Sequence, residues 1–214
     1  MTARTGSKAC MIDEHPDLSS GYHALPLGKI ATVVTFLQMH AKPALRSMQD
    51  QSAFAWTRWH PASLDEYRAL FRAVGEHWLW ESRLVMPDEK LNAILQHPQI
   101  ELYTLKDQGR PAGLVELDFR EEGTCELVFF GLVADAIGKG AGRFLMNHAI
   151  ETAWSRPIKR FWVHTCHLDS PEALPFYQRS GFTPYALKVE VLDDPRLTGL
   201  IPRTGAPNVP VIEP

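Results

Sequence analysis

The chain has 214 residues, 45% of them hydrophobic and 22% charged, with a formal net charge of -3. That length and apolar share suit one domain with a sizeable core plus extensions, and the lack of any Lys/Arg-rich stretch argues against a nucleic-acid partner. Cys10, Cys125 and Cys166 are odd in number and not spaced for zinc, which disfavours a disulfide framework and fits a reducing cytoplasm; no apolar leader or membrane-length apolar run occurs, so no membrane partner is expected.

Residues 1–28 are polar and broken by Gly and Pro, and read as a mobile start. Residues 30–39, rich in Val, Thr and Phe, read as a strand ending at the break from His40 to Pro43. With their linker they form an addition over 29–53, ahead of a main domain at 54–192. Residues 54–59 alternate Phe54, Trp56 and Trp59 with smaller or polar neighbours, as in a half-buried strand. Ser63 and Glu66 have capping-box spacing, and Leu64, Tyr67, Leu70, Phe71 and Val74 make a helical stripe up to Gly75. A tryptophan pair, Trp78 and Trp80, follows among charges before a second helix over 88–96. Residues 100–106 and 111–119 are two strands joined through Asp107-Gln108-Gly109, a hairpin turn.

The central stretch is CELVFFGLVADAIGKGAGRFLMNHAIETAW, residues 125–154. Its unbroken apolar run over 127–133 predicts a strand covered on both faces. Leu145, Ala149 and Ala153, with Met146, Ile150 and Trp154 on the next row, predict a helix. Between them, Gly138, Gly140 and Gly142 let the backbone approach a ligand and turn several N–H groups toward one point. The helix start adds free N–H groups and a positive dipole end, and Lys139 and Arg143 add charge. The loop reads as a pyrophosphate cradle. It is neither the dinucleotide G-x-G-x-x-G pattern, because the third glycine comes too soon, nor a Walker loop, because no Lys-Ser or Lys-Thr closes it.

This segment resembles the coenzyme A loop of the GCN5-related N-acetyltransferases, written as Gln or Arg, two residues, Gly, one residue, then Gly or Ala. Gly140 and Gly142 take the glycine positions, and Ile137 stands where the family has Gln or Arg. A second block, residues 159–185, again reads strand, capped start and helix. Asp169 or Ser170 is placed as the cap, Pro171 in the first turn and Gly181 as the C-cap. Ala173, Phe176-Tyr177 and Gly181-Phe182 resemble the family's second signature, with Ser170 in place of its usual Asn. A late strand over 185–192 and a proline-rich tail over 193–214 complete the chain. That tail either drapes over the domain or meets a partner.

The resemblance implies an α/β (α+β) fold with a central mixed, mostly antiparallel sheet flanked by helices and splayed at the central strand. It also implies acetyl-CoA as cosubstrate and no metal. The coenzyme would be held by Ile137, Gly138, Lys139, Gly140, Ala141, Gly142 and Arg143, by main-chain groups of Leu132 and Val133, and by Ser170 and Tyr177. Tyr177 matches the family tyrosine that protonates the coenzyme sulfur. Glu126, six residues before Leu132, matches the glutamate base of the histone-acetylating branch. Each has a plainer reading, Tyr177 as a core aromatic and Glu126 as a paired carboxylate.

Trp78, Trp80, Glu81, Glu116 and His164 are the acceptor-side candidates, the tryptophans serving equally well as core. His164, Cys166 and His167 have too few ligands for a metal, whereas a nucleophilic Cys166 beside His164 stays open. The expected activity is direct acetyl transfer to a primary amine of a small molecule. The alternatives are a non-catalytic acyl-CoA-binding module or transfer to a protein amine. A homodimer is compatible with the sequence.

Overall fold

The computed structural model describes residues 18–48 and 54–214. The expected mobile start therefore lies largely outside the described residues, as does Cys10. Local rules act as the sequence implies. Ser63 Oγ accepts from the Glu66 N–H at 3.1 Å, while the Glu66 carboxylate reaches the Ala62 N–H at 2.6 Å, one residue earlier than a standard box. The helix so started, α1 (Leu64–Gly75), buries Tyr67, Leu70, Phe71 and Val74. A 3₁₀ turn (Glu76–Trp78) follows and ends on Leu79 at φ 59. Then comes α2 (Asp88–Leu95).

Seven strands form one sheet: β1 (Lys29–Met39), β2 (Phe54–Arg58), β3 (Ile100–Asp107), β4 (Arg110–Asp118), β5 (Thr124–Leu132), β6 (Arg160–Cys166) and β7 (Thr183–Asp193). Their order is β2-β3-β4-β5-β6-β1-β7. Gln108 (φ 49) and Gly109 (φ 81) are both left-handed, the geometry that joins β3 to β4 without splaying them. Every neighbouring pair is antiparallel except β5 with β6. That parallel step needs a crossover, supplied by α3 (Ala141–Trp154).

One face of the sheet is covered by α3 and by α4 (Ala173–Arg179), over a core containing Leu117, Leu127, Leu145, Met146, Phe161, Tyr177 and Phe182. The opposite face of β3 to β5 is covered by α1 and α2 through Tyr67, Phe71, Leu91, Leu102 and Leu114. The early strand, expected as an addition ahead of the domain, is interior to the sheet: β1 pairs with both β6 and β7. Among the described residues no helix is long and apolar enough to cross a membrane.

The tail drapes. Ile201 and Ala206 are buried against Ile30, Leu79 and Leu168. The Arg72 guanidinium donates to the Leu200 carbonyl at 2.7 Å, and the Ala206 N–H to the His77 carbonyl at 3.0 Å. Arg196 ties the tail together, pairing with Asp194 at 2.7 Å and donating to the carbonyls of Gly205, Ala206 and Val209. Both members of the pair are almost fully buried, and hydrogen bonds from Arg196 hold the Asp194 carboxyl below the usual carboxylate range. Arg196→Ala is therefore expected to cost about 3 kcal/mol in chemical denaturation. Because the folded-state carboxyl titrates below its unfolded value of about 3.9, the wild-type advantage is present above that pH and is lost as pH falls through the folded value.

Candidate active site

The parallel ladder between β5 and β6 stops at Leu127 opposite Val163. Beyond that point the strands diverge, and residues 128–132 of β5 have no partner on their β6 side. Their main-chain groups on that edge face a cavity of about 390 Å³. Gly142, Leu132, Phe176 and Tyr177 line it from the α3/α4 side, and Trp78, Trp80, Glu81, His164 and Glu190 from the other. The gap is thus reachable from both faces of the sheet.

At the α3 end, Gly138 (φ 82) and Gly140 (φ 81) occupy the left-handed region, which only glycine enters without strain. Gly140 is the N-cap of α3, so the leading N–H groups of that helix are left without intrahelical partners at the loop. Ile137 is exposed on the cavity wall. Lys139 Nζ lies 3.8 Å from the Asp107 carboxylate. Arg143 donates to Ser180 Oγ at 3.0 Å and stacks over Phe176. Its pKa is lowered by burial and by the positive charges of Arg46 and Arg179.

Val133, expected to offer main-chain groups to the coenzyme, has both of them bonded within the chain. Its N–H bonds to the Ala112 carbonyl at 3.0 Å, and its own carbonyl takes the Ala136 N–H at 3.0 Å. The open main chain is instead the edge over 128–132.

Tyr177 is buried with its side chain on the cavity, and its hydroxyl has no hydrogen-bond partner among the described residues. Burial, and next the nearby Asp169 charge, push its pKa well up. Glu126 and His164 sit on adjacent strands, Oε1 3.5 Å from Nδ1. His164 is on the cavity wall, whereas Glu126 does not line it. Burial alone would lower the His164 pKa. The Glu126 hydrogen bond and charge, with Asp169 and Glu190, outweigh it and raise the pKa.

Glu116 is not on the cavity. It is completely buried on β4, bonded to the Arg83 guanidinium and to the Tyr67 hydroxyl at 3.0 Å. A buried carboxylate needs such partners, and they take both its oxygens away from any ligand. Arg83 carried no sequence signal for this pairing.

Asp169, expected as a helix cap, is turned the other way. It accepts from the Trp80 indole N–H at 3.2 Å, the Thr165 hydroxyl at 2.7 Å and the Cys166 N–H at 3.0 Å. Glu172 takes the N-cap position of α4 without a side-chain bond, and Ser170 Oγ accepts from its N–H at 3.3 Å. Trp80 packs so tightly that a Cβ on Gly75 would lie 2.4 Å from it, and one on Gly131 would lie 2.3 Å from Val74 and 3.2 Å from Trp80.

The acetyltransferase (GNAT) family model matches residues 56–182, more than half of the chain. The chain belongs to the GNAT acetyltransferase family. No curated protein matches it. Among solved structures it is similar to a GCN5-related N-acetyltransferase from Sphaerobacter thermophilus, with TM-score 0.58, 11% identity, and 76% of this chain and 52% of that one covered. It is also similar to a functionally unknown conserved protein from Staphylococcus epidermidis, with TM-score 0.54, 17% identity and coverage of 78% and 63%. A third is an aminoglycoside acetyltransferase from an uncultured soil metagenomic sample in complex with trehalose, with TM-score 0.50, 15% identity and coverage of 61% and 89%. The chain thus spans only 52% and 63% of the first two structures, and at these identities the likeness is one of fold.

The residues at the cavity that sequence reasoning missed are Asp169, Glu190 and Leu192, while the opening at the central strand was expected only at Leu132 and Val133 and extends back to residue 128. Only Asp169 had a signal, and capping explained it equally well. If the three bonds to Asp169 hold the divergent strands, Asp169→Ala should lower stability by about 2 kcal/mol in urea, and Asp169→Asn, which keeps an acceptor oxygen, by clearly less. Equal losses would show that the bonds are not the cause.

Proposed function

We propose that this GNAT domain transfers an acetyl group from acetyl-CoA directly to the primary amine of a small molecule. The observation that carries this reading is the cavity itself: Ile137 and Gly142 of the loop at α3, Tyr177 and His164 line one space, with Glu126 next to His164. The loop fits a diphosphate. It offers left-handed glycines, a helix start and the Arg143 guanidinium, whose repulsion from Arg46 and Arg179 outside the loop an anion would relieve. Residues 137–143 would hold the phosphates, and Ser170 and the open β5 edge over 128–132 the pantetheine amides. The thioester of acetyl-CoA supplies the electrophilic carbon.

The protein's own groups then divide the proton work. Tyr177, with its raised pKa, keeps its proton at neutral pH and is placed as the acid for the departing sulfur. His164 in its neutral form accepts the amine proton, and Glu126 stabilises the imidazolium that results. This refines the expectation of Glu126 as the base: the carboxylate acts through the ring on the cavity wall. Trp78, Trp80 and Glu81 form the wall nearest the acceptor. A nucleophilic Cys166 is disfavoured, because burial, and then the Asp169 charge, raise its pKa and keep it a thiol.

Thiol release from acetyl-CoA across a panel of amines tests the activity. Tyr177→Phe should lower kcat about tenfold or more while calorimetry still shows coenzyme binding, and Cys166→Ser should stay within about twofold of wild type. Coenzyme binding without thiol release for any amine would favour the binding-module alternative.

The pH profile tests the base. The acid limb of kcat/KM should lie above the ordinary histidine value of about 6.5. Glu126→Gln removes the charge that favours the imidazolium, so it should move that limb to lower pH. A limb that stays in place would remove His164 and Glu126 from these roles.

A further inference from the structure

The cavity is unevenly charged. Glu81, Asp169, Glu172 and Glu190 line it, against His164 and Arg179. Two of these carboxylates are answered within the chain. Asp169 takes its three neutral donors, and the Arg179 guanidinium lies 3.8 Å from Glu172. Among the described residues, the side chains of Glu81 and Glu190 meet neither a cation nor a hydrogen-bond donor. Nearby cations are engaged elsewhere: Lys29 pairs with Asp193 at 2.6 Å, and Lys188 Nζ stands 5.3 Å from the centre of the Phe36 ring.

The fold sets these two carboxylates beside the proposed base. Glu190 on β7 is opposite Thr32 of β1, and His164 on β6 is opposite Phe36 of the same strand. Thr32 and Phe36 are an even number of residues apart, so Glu190 and His164 project from one face of the sheet. Glu81 reaches the same space from the turn after α1. Burial, and then the charges of Asp193 and Glu190, raise its pKa, and Glu190 also acts on His164. Glu190 is thus within electrostatic reach of both His164 and Glu81. Carboxylates that repel each other in a partly closed space are relieved by an incoming positive charge. Tyr177, only 7% exposed and with its unbonded hydroxyl on this cavity, independently marks the space as one that a ligand completes.

We propose that the acceptor is a dication, an alkyl diamine or polyamine, whose second nitrogen stays an ammonium held between Glu81 and Glu190 while the first is acetylated. This rests on the acetyl-transfer reading and narrows it. The reacting nitrogen arrives as an ammonium and loses one proton to solvent on entry. It loses a second to His164 as its bond to the acetyl carbon forms and the carbon–sulfur bond breaks, and Tyr177 protonates the departing sulfur. The second nitrogen makes and breaks no bond. Trp78 and Trp80, on the same wall, offer indole rings to that ammonium. A monoamine of equal length leaves the two carboxylates unanswered, and an acceptor ending in a carboxylate is repelled by them.

The test is thiol release from acetyl-CoA with α,ω-diamines from diaminopropane to diaminohexane, beside the n-alkylamine and the ω-amino acid of each chain length. The diamine of best length should exceed its matched monoamine about tenfold or more in kcat/KM, chiefly through KM, with the amino acid poorest. Glu81→Gln and Glu190→Gln should each shrink that ratio about threefold or more, and Glu190→Lys should turn the preference toward the ω-amino acid. If Glu81→Gln does not fold, the variants at Glu190, an exposed position, decide alone. A monoamine used as well as its matched diamine at every length, or a ratio that none of the variants moves, would overturn the proposal. Calorimetry of the same diamines on the full chain in the presence of coenzyme A keeps the two readings apart. Diamine binding that Glu190→Gln weakens, without thiol release for any amine, would retain the dication site and remove acetyl transfer, whereas thiol release with no preference for diamines would do the reverse.

Discussion

The site depends on one structural constraint, the early end of the β5–β6 ladder at Leu127 and Val163. Strands that stop pairing leave buried main-chain groups that would be costly without partners or a ligand. Something must therefore link the two sides of the opening. Trp80 bridges it from outside the sheet: its ring enters where Gly131 leaves room, beside Phe71 and Phe129, and its N–H reaches Asp169 beyond the end of β6. One hydrogen bond thereby links the turn after α1 to the segment before α4 across the gap. The two glycines facing Trp80, Gly75 and Gly131, are needed for this close approach, because a side chain at either would collide with it or with Val74.

Asp169 also sets the electrostatics. Its charge raises the pKa of Tyr177, of Cys166 and of His164, in each case beside larger effects of burial or of Glu126. A single carboxylate among three titratable groups pushes all of them toward their protonated forms. That suits an acid at Tyr177 and silences Cys166 as a nucleophile. At His164 the Asp169 charge adds to the larger effect of Glu126, and a ring acting as the proposed base would have to shed its proton at the raised pH that results. Burial works in the same direction as Asp169 on the phenol and the thiol, and against it on the imidazole. The three groups therefore diverge in behaviour although they share one neighbour.

Local features were legible because their causes are local. The Ser63 cap, the Gln108-Gly109 hairpin, the glycine loop before α3 and the Gly181 helix end each follow from backbone preferences within a few residues. The α1 stripe and the α3 stripe follow from period alone. What failed depended on distant partners. Glu116 looked like a free acidic residue until Arg83 and Tyr67, far away in sequence, proved to enclose it. Asp169 satisfied a capping pattern, yet three donors, two from β6 and one from the turn before α2, outcompeted the helix for its oxygens. Residues 30–39 announced a strand, but no pattern within them says that β6 and β7 lie on either side.

That last point shows how the two ends of the chain divide the site. The span matched by the GNAT family model, 56–182, contains the glycine loop, Tyr177, Glu126 and His164. It excludes β1, β7 and the whole of the tail. Yet β7 brings Glu190 and Leu192 to the cavity, and it can do so only because β1 lies between it and β6 and sets its distance from the opening. The tail, knotted by Arg196, packs Ile201 on Leu79 and bonds His77, and so fixes the turn from which Trp78, Trp80 and Glu81 reach the same space. The side of the cavity away from α3 is thus framed by residues of the family-matched span, Trp78, Trp80, Glu81 and His164, together with Glu190 and Leu192 from outside it, while the end at α3 lies wholly within the span. A change in β1 or the tail can reshape what enters the cavity without disturbing the loop at α3, because no element joins the two ends except the diverging strands themselves.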